Sequence, residues 1–349
     1  MQLSAQQLSA EPTFAQKVAF LSDPAAYTPA PGAVEVVETH MSVVFLAGDR
    51  VFKIKKPVRY DFLDFSTIER RAAVVRDEIR LNRRLAPDVY IGTQSLRVGP
   101  RGSLALDGEG PVVDWLVEMH RLPGDRMLVP MIASGQVTQD DVLRLGKRLT
   151  AFYGDLSGEP VSPADHIGRF ETEQALTATV LTDPRFGFDG KTVTAALEAC
   201  DAALDAARPH LEDRVRQGRI VEGHGDLRPE HVFLTDPPAI IDCLEFNRRL
   251  RLVDPFDEIA FLGLECALLG ADNVFPTLLG QLSEALDDLP PQPVLEFYWR
   301  YRALLRARLA LLHLAEPKPR KPGKWRPLAW CYVWLAAEAG LRTRLPEDR

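Results

Sequence analysis

Residues 221–246 read VEGHGDLRPEHVFLTDPPAIIDCLEF. Asp226 and Asp242 each stand among apolar neighbours, with no lysine or arginine immediately beside them. Gly223 and Gly225 bracket His224 and permit a tight backbone path just before Asp226. The apolar run 232–234 begins a strand, Asp236-Pro237-Pro238 makes a turn, and 239–241 returns as a second strand ending at Asp242. A hairpin of this kind brings the loop before its first strand close to the residue after its second. Both carboxylates would then face one small space.

Two acids so placed suit phosphoryl transfer: one accepts the proton of an attacking hydroxyl, and the other holds a magnesium ion that bridges nucleotide phosphates. Each aspartate alone would read as a solvated turn residue. The combination of HGDL, a hairpin and I-I-D argues against that reading.

Upstream of this stretch, short β-rich segments at 34–37, 43–47 and 51–55 read as strands, with Gly48-Asp49 as a hairpin turn between the last two. A charged helix follows over 66–85, with Ser66 as N-cap and Glu69 at capping-box spacing. Further strands are expected at 94–98 and 112–119. The rest is mostly helical, with apolar faces at 140–156, 171–181, 191–211, 273–286, 294–314 and 325–341, and a basic, proline-containing loop at 316–327. The expected class is α+β, with a small β-rich lobe carrying one main helix and a larger, mostly helical lobe.

Bulk properties narrow the function classes. The chain has 349 residues, 46% of them hydrophobic, enough for a sizeable core. A formal charge of −7 argues against a nucleic-acid partner, because no domain-wide basic field is present to attract phosphates. Cys200, Cys243, Cys266 and Cys331 show no zinc-type spacing and read as reduced thiols. No apolar run approaches the length of a membrane span, and the N-terminus lacks secretory features. A cytoplasmic protein with no membrane partner is expected.

HGDLRPEH followed by IIDCLEF resembles the core of the aminoglycoside phosphotransferase family, which has a protein-kinase-like fold. The resemblance implies an ATP- and Mg2+-dependent transfer of phosphate to a hydroxyl of a small molecule, with another nucleoside triphosphate or Mn2+ as alternatives. It places Asp226 on the catalytic base, His224 on its supporting histidine and Asp242 on the magnesium ligand. In VFKIKK, Lys53 and Lys55 share one strand face by period two. Either can stand for the phosphate-binding lysine, Lys53 by preference. EIRLNRRL carries the paired glutamate onto Glu78, and VEMHRLPG resembles the interlobe hinge, where the backbone from Met119 to Arg121 would meet the adenine. The implied division is 1–118 for the first lobe, 119–124 for the hinge and 125–349 for the second lobe.

Three departures stand out. His231 replaces the family's second metal ligand, which would weaken, alter or remove that site, or leave the imidazole packed under the loop. Only one glycine lies in 38–50, so residues 39–42 would cover the phosphates. Arg228 replaces a common second histidine. These departures keep a second function open, a non-catalytic nucleotide-binding module acting with another protein. Asp257 would cap its helix or brace the loop, Glu245 would approach metal or substrate, and Arg248, Arg249 and Arg251 would meet an anionic substrate or form surface. The sequence also looks close to an uncharacterised bacterial branch in which such a domain is sometimes fused to a P-loop ATP-binding domain. No P-loop motif occurs in this chain, so the implied partner is a separate P-loop protein.

Overall fold

The structure, a computed structural model, describes residues 11–60, 63–316 and 319–338. Contacts divide the chain into two compact units. One runs to Gly124 and takes in Ala239–Arg248; the other is Asp125–Pro238 with the chain from Arg249 onward.

The first unit begins with α1 (Phe14–Leu21), followed by β1 (Val34–Glu38), β2 (Ser42–Ala47) and β3 (Arg50–Lys55). Ala47 faces Arg50 across β2 and β3, so Gly48 and Asp49 alone make the turn. Gly48 has φ +65°, which only glycine adopts without cost. Short strands β4 (Arg59–Tyr60) and β5 (Leu63–Asp64) lead to α2 (Ile68–Asn82), and β6 (Tyr90–Val98), β7 (Leu104–Leu106) and β8 (Val112–His120) complete the sheet. Its six strands run antiparallel in the order β1-β2-β3-β8-β6-β7.

Alternation along β3 separates two environments. Phe52 and Ile54 join Leu21, Phe45, Leu96 and Leu116 in the core. Lys53 and Lys55 take the other face, toward α2. Asp114 of β8 is fully buried and binds both Lys17 of α1 (3.0 Å) and Arg71 of α2 (2.8 Å), so one carboxylate ties both helices to the sheet. The N-cap of α2 is Thr67, whose hydroxyl accepts from the Arg70 amide. Ser66, the expected cap, is held instead by Asp64, to which its amide and hydroxyl both donate.

The second unit contains α3 (Leu128–Ala133), α4 (Gln139–Gly154), α5 (Pro163–Leu181), α6 (Gly190–Arg216), the two-residue strands β9 (Val221–Glu222) and β10 (Val232–Phe233), and, beyond the excursion into the first unit that carries β11 (Ala239–Ile240), β12 (Leu252–Val253), α7 (Pro255–Leu268), α8 (Val274–Leu286), α9 (Gln292–Leu314) and α10 (Pro322–Ala337). α5 starts earlier than the apolar face suggested, because Ser162 caps the Asp165 amide and Pro163 occupies the first helical position. α10 likewise begins at Pro322, inside the stretch read as a loop. The end of that expected helix, 339–341, lies outside the described residues. α7 and α9 are buried on nearly all sides and form the centre of this unit.

Both strands of the expected hairpin exist, and the chain leaves the second unit between them, after Pro238. Residues 239–248, assigned to the larger part in the sequence reading, pack with the sheet and α2. Among the described residues, no helix is long and apolar enough to cross a membrane.

Candidate functional site

In the first unit the structure gathers Lys53, Lys55, Glu78, Asp242 and Glu245. The centre is Glu78 of α2, completely buried. One of its oxygens lies 2.8 Å from the Lys53 ammonium and the other 2.5 Å from that of Lys55. Lys53 also holds Asp242 at 2.6 Å, and Lys55 holds Glu245 at 2.6 Å. Their exposures differ sharply: the Lys55 side chain is 1% exposed, Lys53 12% and Asp242 45%.

Burial works against the charge on Lys53, yet Asp242, Glu78 and Glu245 overcome it and hold its pKa well above the usual lysine range. Burial would raise Glu78, but Lys53 and Lys55 hold it below the usual carboxylate range. Both groups are therefore ionised at neutral pH.

Residues 239–248 are stitched to α2 and its C-terminal flank. The Ile240 amide donates to the Leu85 carbonyl at 3.4 Å, and the Cys243 amide to Asn82 Oδ1 at 2.8 Å. Asn82 in turn donates to the Glu78 carbonyl at 2.8 Å. Between these anchors Asp242 adopts φ +63°, a left-handed conformation that non-glycine residues hold only when their surroundings fix it.

In the second unit the loop 223–231 brings His224, Asp226, Arg228 and His231 together. A Cβ at Gly223 would run into the Glu258 carboxylate and Val253, and Gly225 has φ +88°. Both glycines are thus required, one by close approach and one by conformation. Glu258 of α7, almost completely buried, organises the loop: it accepts from the His224 amide (2.9 Å), the Gly225 amide and the Tyr153 hydroxyl (2.7 Å). Burial raises its pKa against the pull of these donors.

His224 Nδ1 accepts from the Asp226 amide at 3.3 Å, so this imidazole shapes the backbone that presents Asp226. The Asp226 carboxylate lies 3.0 Å from Arg228 Nε. Burial pushes Asp226 up, but Arg228 and then His231, Arg306 and His224 pull harder, leaving its pKa below the ordinary aspartate value. His231 Nδ1 is 2.8 Å from the Asp226 carbonyl, which can only accept, so that nitrogen carries the proton. Nε2 faces the Arg228 guanidinium at 3.4 Å.

Other expected residues settle as follows. Met119 lies in β8 between β3 and β6, opposite Val51 and Tyr90. The His120 and Arg121 amides donate to the carbonyls of Val89 and Asp49, each at 2.8 Å, so a ligand would meet this segment through other atoms. Asp257 neither caps its helix nor braces the loop: it pairs with Arg302 through two 2.7 Å bonds, while Asp254 is the N-cap of α7. Arg251 is buried against Glu222 at 2.7 Å, whereas Arg248 and Arg249 are exposed. Glu258 escaped the sequence reading because it adjoins Asp257, and the helical phase that separates them rests on a cap at Asp254.

No protein-family model matches the chain. The uncharacterized proteins Rv2004c of Mycobacterium tuberculosis and Mb2027c of Mycobacterium bovis are each 31% identical over 297 residues, covering 82% of this chain and 56% of theirs. The chain therefore spans about half the length of these curated relatives. Among solved structures, a choline/ethanolamine kinase family protein from Mesorhizobium loti superposes with a TM-score of 0.55 at 16% identity, covering 94% of this chain and 97% of that one. APH(2")-IIia, in a complex with GDP and kanamycin, superposes with a TM-score of 0.50 at 17% identity, covering 92% and 97%. At such identities the likeness establishes the fold, which is α+β and protein-kinase-like.

Replacing Glu258 by alanine strips buried loop amides of their acceptor. At about 1–3 kcal/mol for each unsatisfied group, the variant is expected to lose about 2–5 kcal/mol of unfolding free energy in urea. A loss below about 1 kcal/mol would contradict the bracing role.

Proposed function

We propose that the protein is a phosphotransferase that moves the terminal phosphoryl group of ATP, or another nucleoside triphosphate, to a hydroxyl of a small molecule, and that it belongs with the aminoglycoside phosphotransferase-like kinases. The observation that carries this reading is Lys53, ionised and held between buried Glu78 and half-exposed Asp242. A lysine so fixed offers a defined positive point for nucleotide phosphates. Lys55 is too deeply buried to do so, which favours Lys53 for that task.

The residues fit a divalent cation at Asp242, a hard oxygen donor that is substantially exposed. Magnesium or manganese bound there would neutralise phosphate charge. His231 does not suit a ligand's role, because one ring nitrogen bears a proton toward a carbonyl and the other faces a guanidinium. We assign it to the support of the loop.

Asp226 is our base for the acceptor hydroxyl, with His224 setting the backbone that presents it. Arg228 makes Asp226 a weak base. That suits a reaction in which the hydroxyl proton leaves late, when the phosphoryl group has largely departed. The acids of α7 offer little to a polycationic acceptor: Asp257 is spent on Arg302, Glu258 on the loop, and Glu265 on Arg306 and Tyr332. We therefore favour a neutral or anionic hydroxyl compound over an aminoglycoside. A cytoplasmic setting and a P-loop ATP-binding partner remain part of the proposal by family analogy.

The competing function, a nucleotide-binding module without catalysis, draws on the tie between Arg228 and Asp226 at 3.0 Å. Asp226→Asn separates the two. The phosphotransferase reading expects loss of nucleotide turnover by about 100-fold or more, with nucleotide affinity within a few-fold of the parent. Unchanged turnover would remove Asp226 as the base, and no turnover by the parent on a broad panel of hydroxyl acceptors would favour the binding module.

Arg228→Gln tests the same carboxylate through pH. The base works only when deprotonated, and Arg228 keeps its pKa low. Losing that cation should raise the pKa and shift the acidic limb of kcat/KM to higher pH. An acidic limb that stays in place would show that it does not report Asp226.

A further inference from the structure

Lys55 and Glu245 remain unexplained by the reading above. Their side chains are 1% and 7% exposed and lie 2.6 Å apart, too deep for contact with a nucleotide. Yet they are joined to Lys53 and Asp242 by one shared residue, since Glu78 gives one oxygen to Lys53 and the other to Lys55. Two ammonium groups thus face three carboxylates. The surplus negative charge can rest most cheaply on Asp242, the most exposed of the five.

Position adds to charge. Asp242 holds a left-handed backbone conformation, and the anchors on its two sides differ in kind. Before it, the Ile240 amide bonds the Leu85 carbonyl; after it, the Cys243 amide bonds Asn82. Glu245 then returns to β3 through Lys55, the last of these anchors along the chain. Burial lifts the Glu245 carboxyl above its usual value, and the neighbouring Lys55 ammonium opposes that rise.

We propose that Lys55 and Glu245 are positioning residues: the buried pair fixes residues 242–245 against β3 and α2, so that Asp242 presents its carboxylate while Glu78 stays on Lys53. This rests on the reading of Lys53 and Asp242 as nucleotide- and metal-binding groups. Charge balance makes it distinct from simple packing. Lys55→Met leaves three carboxylates facing one ammonium, and Glu78 and Glu245 then compete for Lys53. Adding Glu245→Gln restores the original surplus of one negative charge.

The test uses the full chain and a thiol reagent, N-ethylmaleimide, with modification followed at each cysteine by mass spectrometry. Cys243 is buried within the segment, Cys200 and Cys266 are buried in α6 and α7 of the other unit, and exposed Cys331 controls for reagent. Lys55→Met should speed labelling of Cys243 by about 10-fold or more while Cys200 and Cys266 stay protected, and the double variant should return within about 3-fold of the parent. In parallel, Lys55→Met should raise the magnesium concentration needed for half-maximal turnover more than it lowers kcat, and the double variant should reverse this.

Three results would overturn the proposal: Cys243 labelling at the parent rate in Lys55→Met, equal acceleration at all buried cysteines, or a double variant as impaired as the worse single one. If the parent shows no turnover, the phosphotransferase reading falls, and the thiol measurements still decide whether the pair holds the segment.

Discussion

A completely buried carboxylate shared by two lysines is the constraint on which the first unit depends. Moving Glu78 out of water is costly, and each of its two ammonium partners offsets part of that cost while held within ion-pair distance. The sheet does the holding. Alternation along β3 puts Lys53 and Lys55 on one face with Phe52 and Ile54 on the other, so the packing of the hydrophobic core also fixes where the charges lie. α2 supplies the glutamate from one side, and its C-terminal flank anchors 239–248. One helix therefore sets both the lysine and the aspartate that flank Glu78.

The second unit follows the same logic with a different donor set. Glu258 is as deeply placed as Glu78, but its partners are the His224 and Gly225 amides and a tyrosine hydroxyl. A glutamate from a buried helix thus shapes a loop whose glycines allow its carboxylate to approach the backbone. In each unit a buried acid that meets no substrate in our reading positions a less buried acid that we propose does. These two acids carry different biases: Asp242 stands beside a lysine whose charge it reinforces, and Asp226 beside an arginine that lowers its pKa.

Much of this was legible in the sequence. The period-two placement of Lys53 and Lys55, the Gly48-Asp49 turn and the Glu78 helix all follow from local rules, and the structure has the strands and helix within a few residues of expectation. What local rules missed depended on competition between neighbours. Ser66 and Thr67 could each cap α2, and Asp64 decides the matter by engaging Ser66. Asp257 and Glu258 could each brace the loop, and only the helical phase set by Asp254 separates them. The sequence offers Lys53 and Lys55 as alternatives; in the structure both bind Glu78, Lys55 the more deeply buried of the two. The pairing of Lys55 with Glu245 joins residues 190 positions apart and leaves no local trace.

The most direct test of the account is calorimetric titration of ATP with magnesium into the parent protein and into Lys53→Met. Glu78 keeps Lys55 in that variant, so the unit should remain folded while the less buried cation is gone. We expect the parent to bind and the variant to bind about 10-fold more weakly or worse, as loss of a charge-assisted contact implies. Equal binding by the two proteins would contradict the assignment of the lysine and glutamate cluster to nucleotide phosphates.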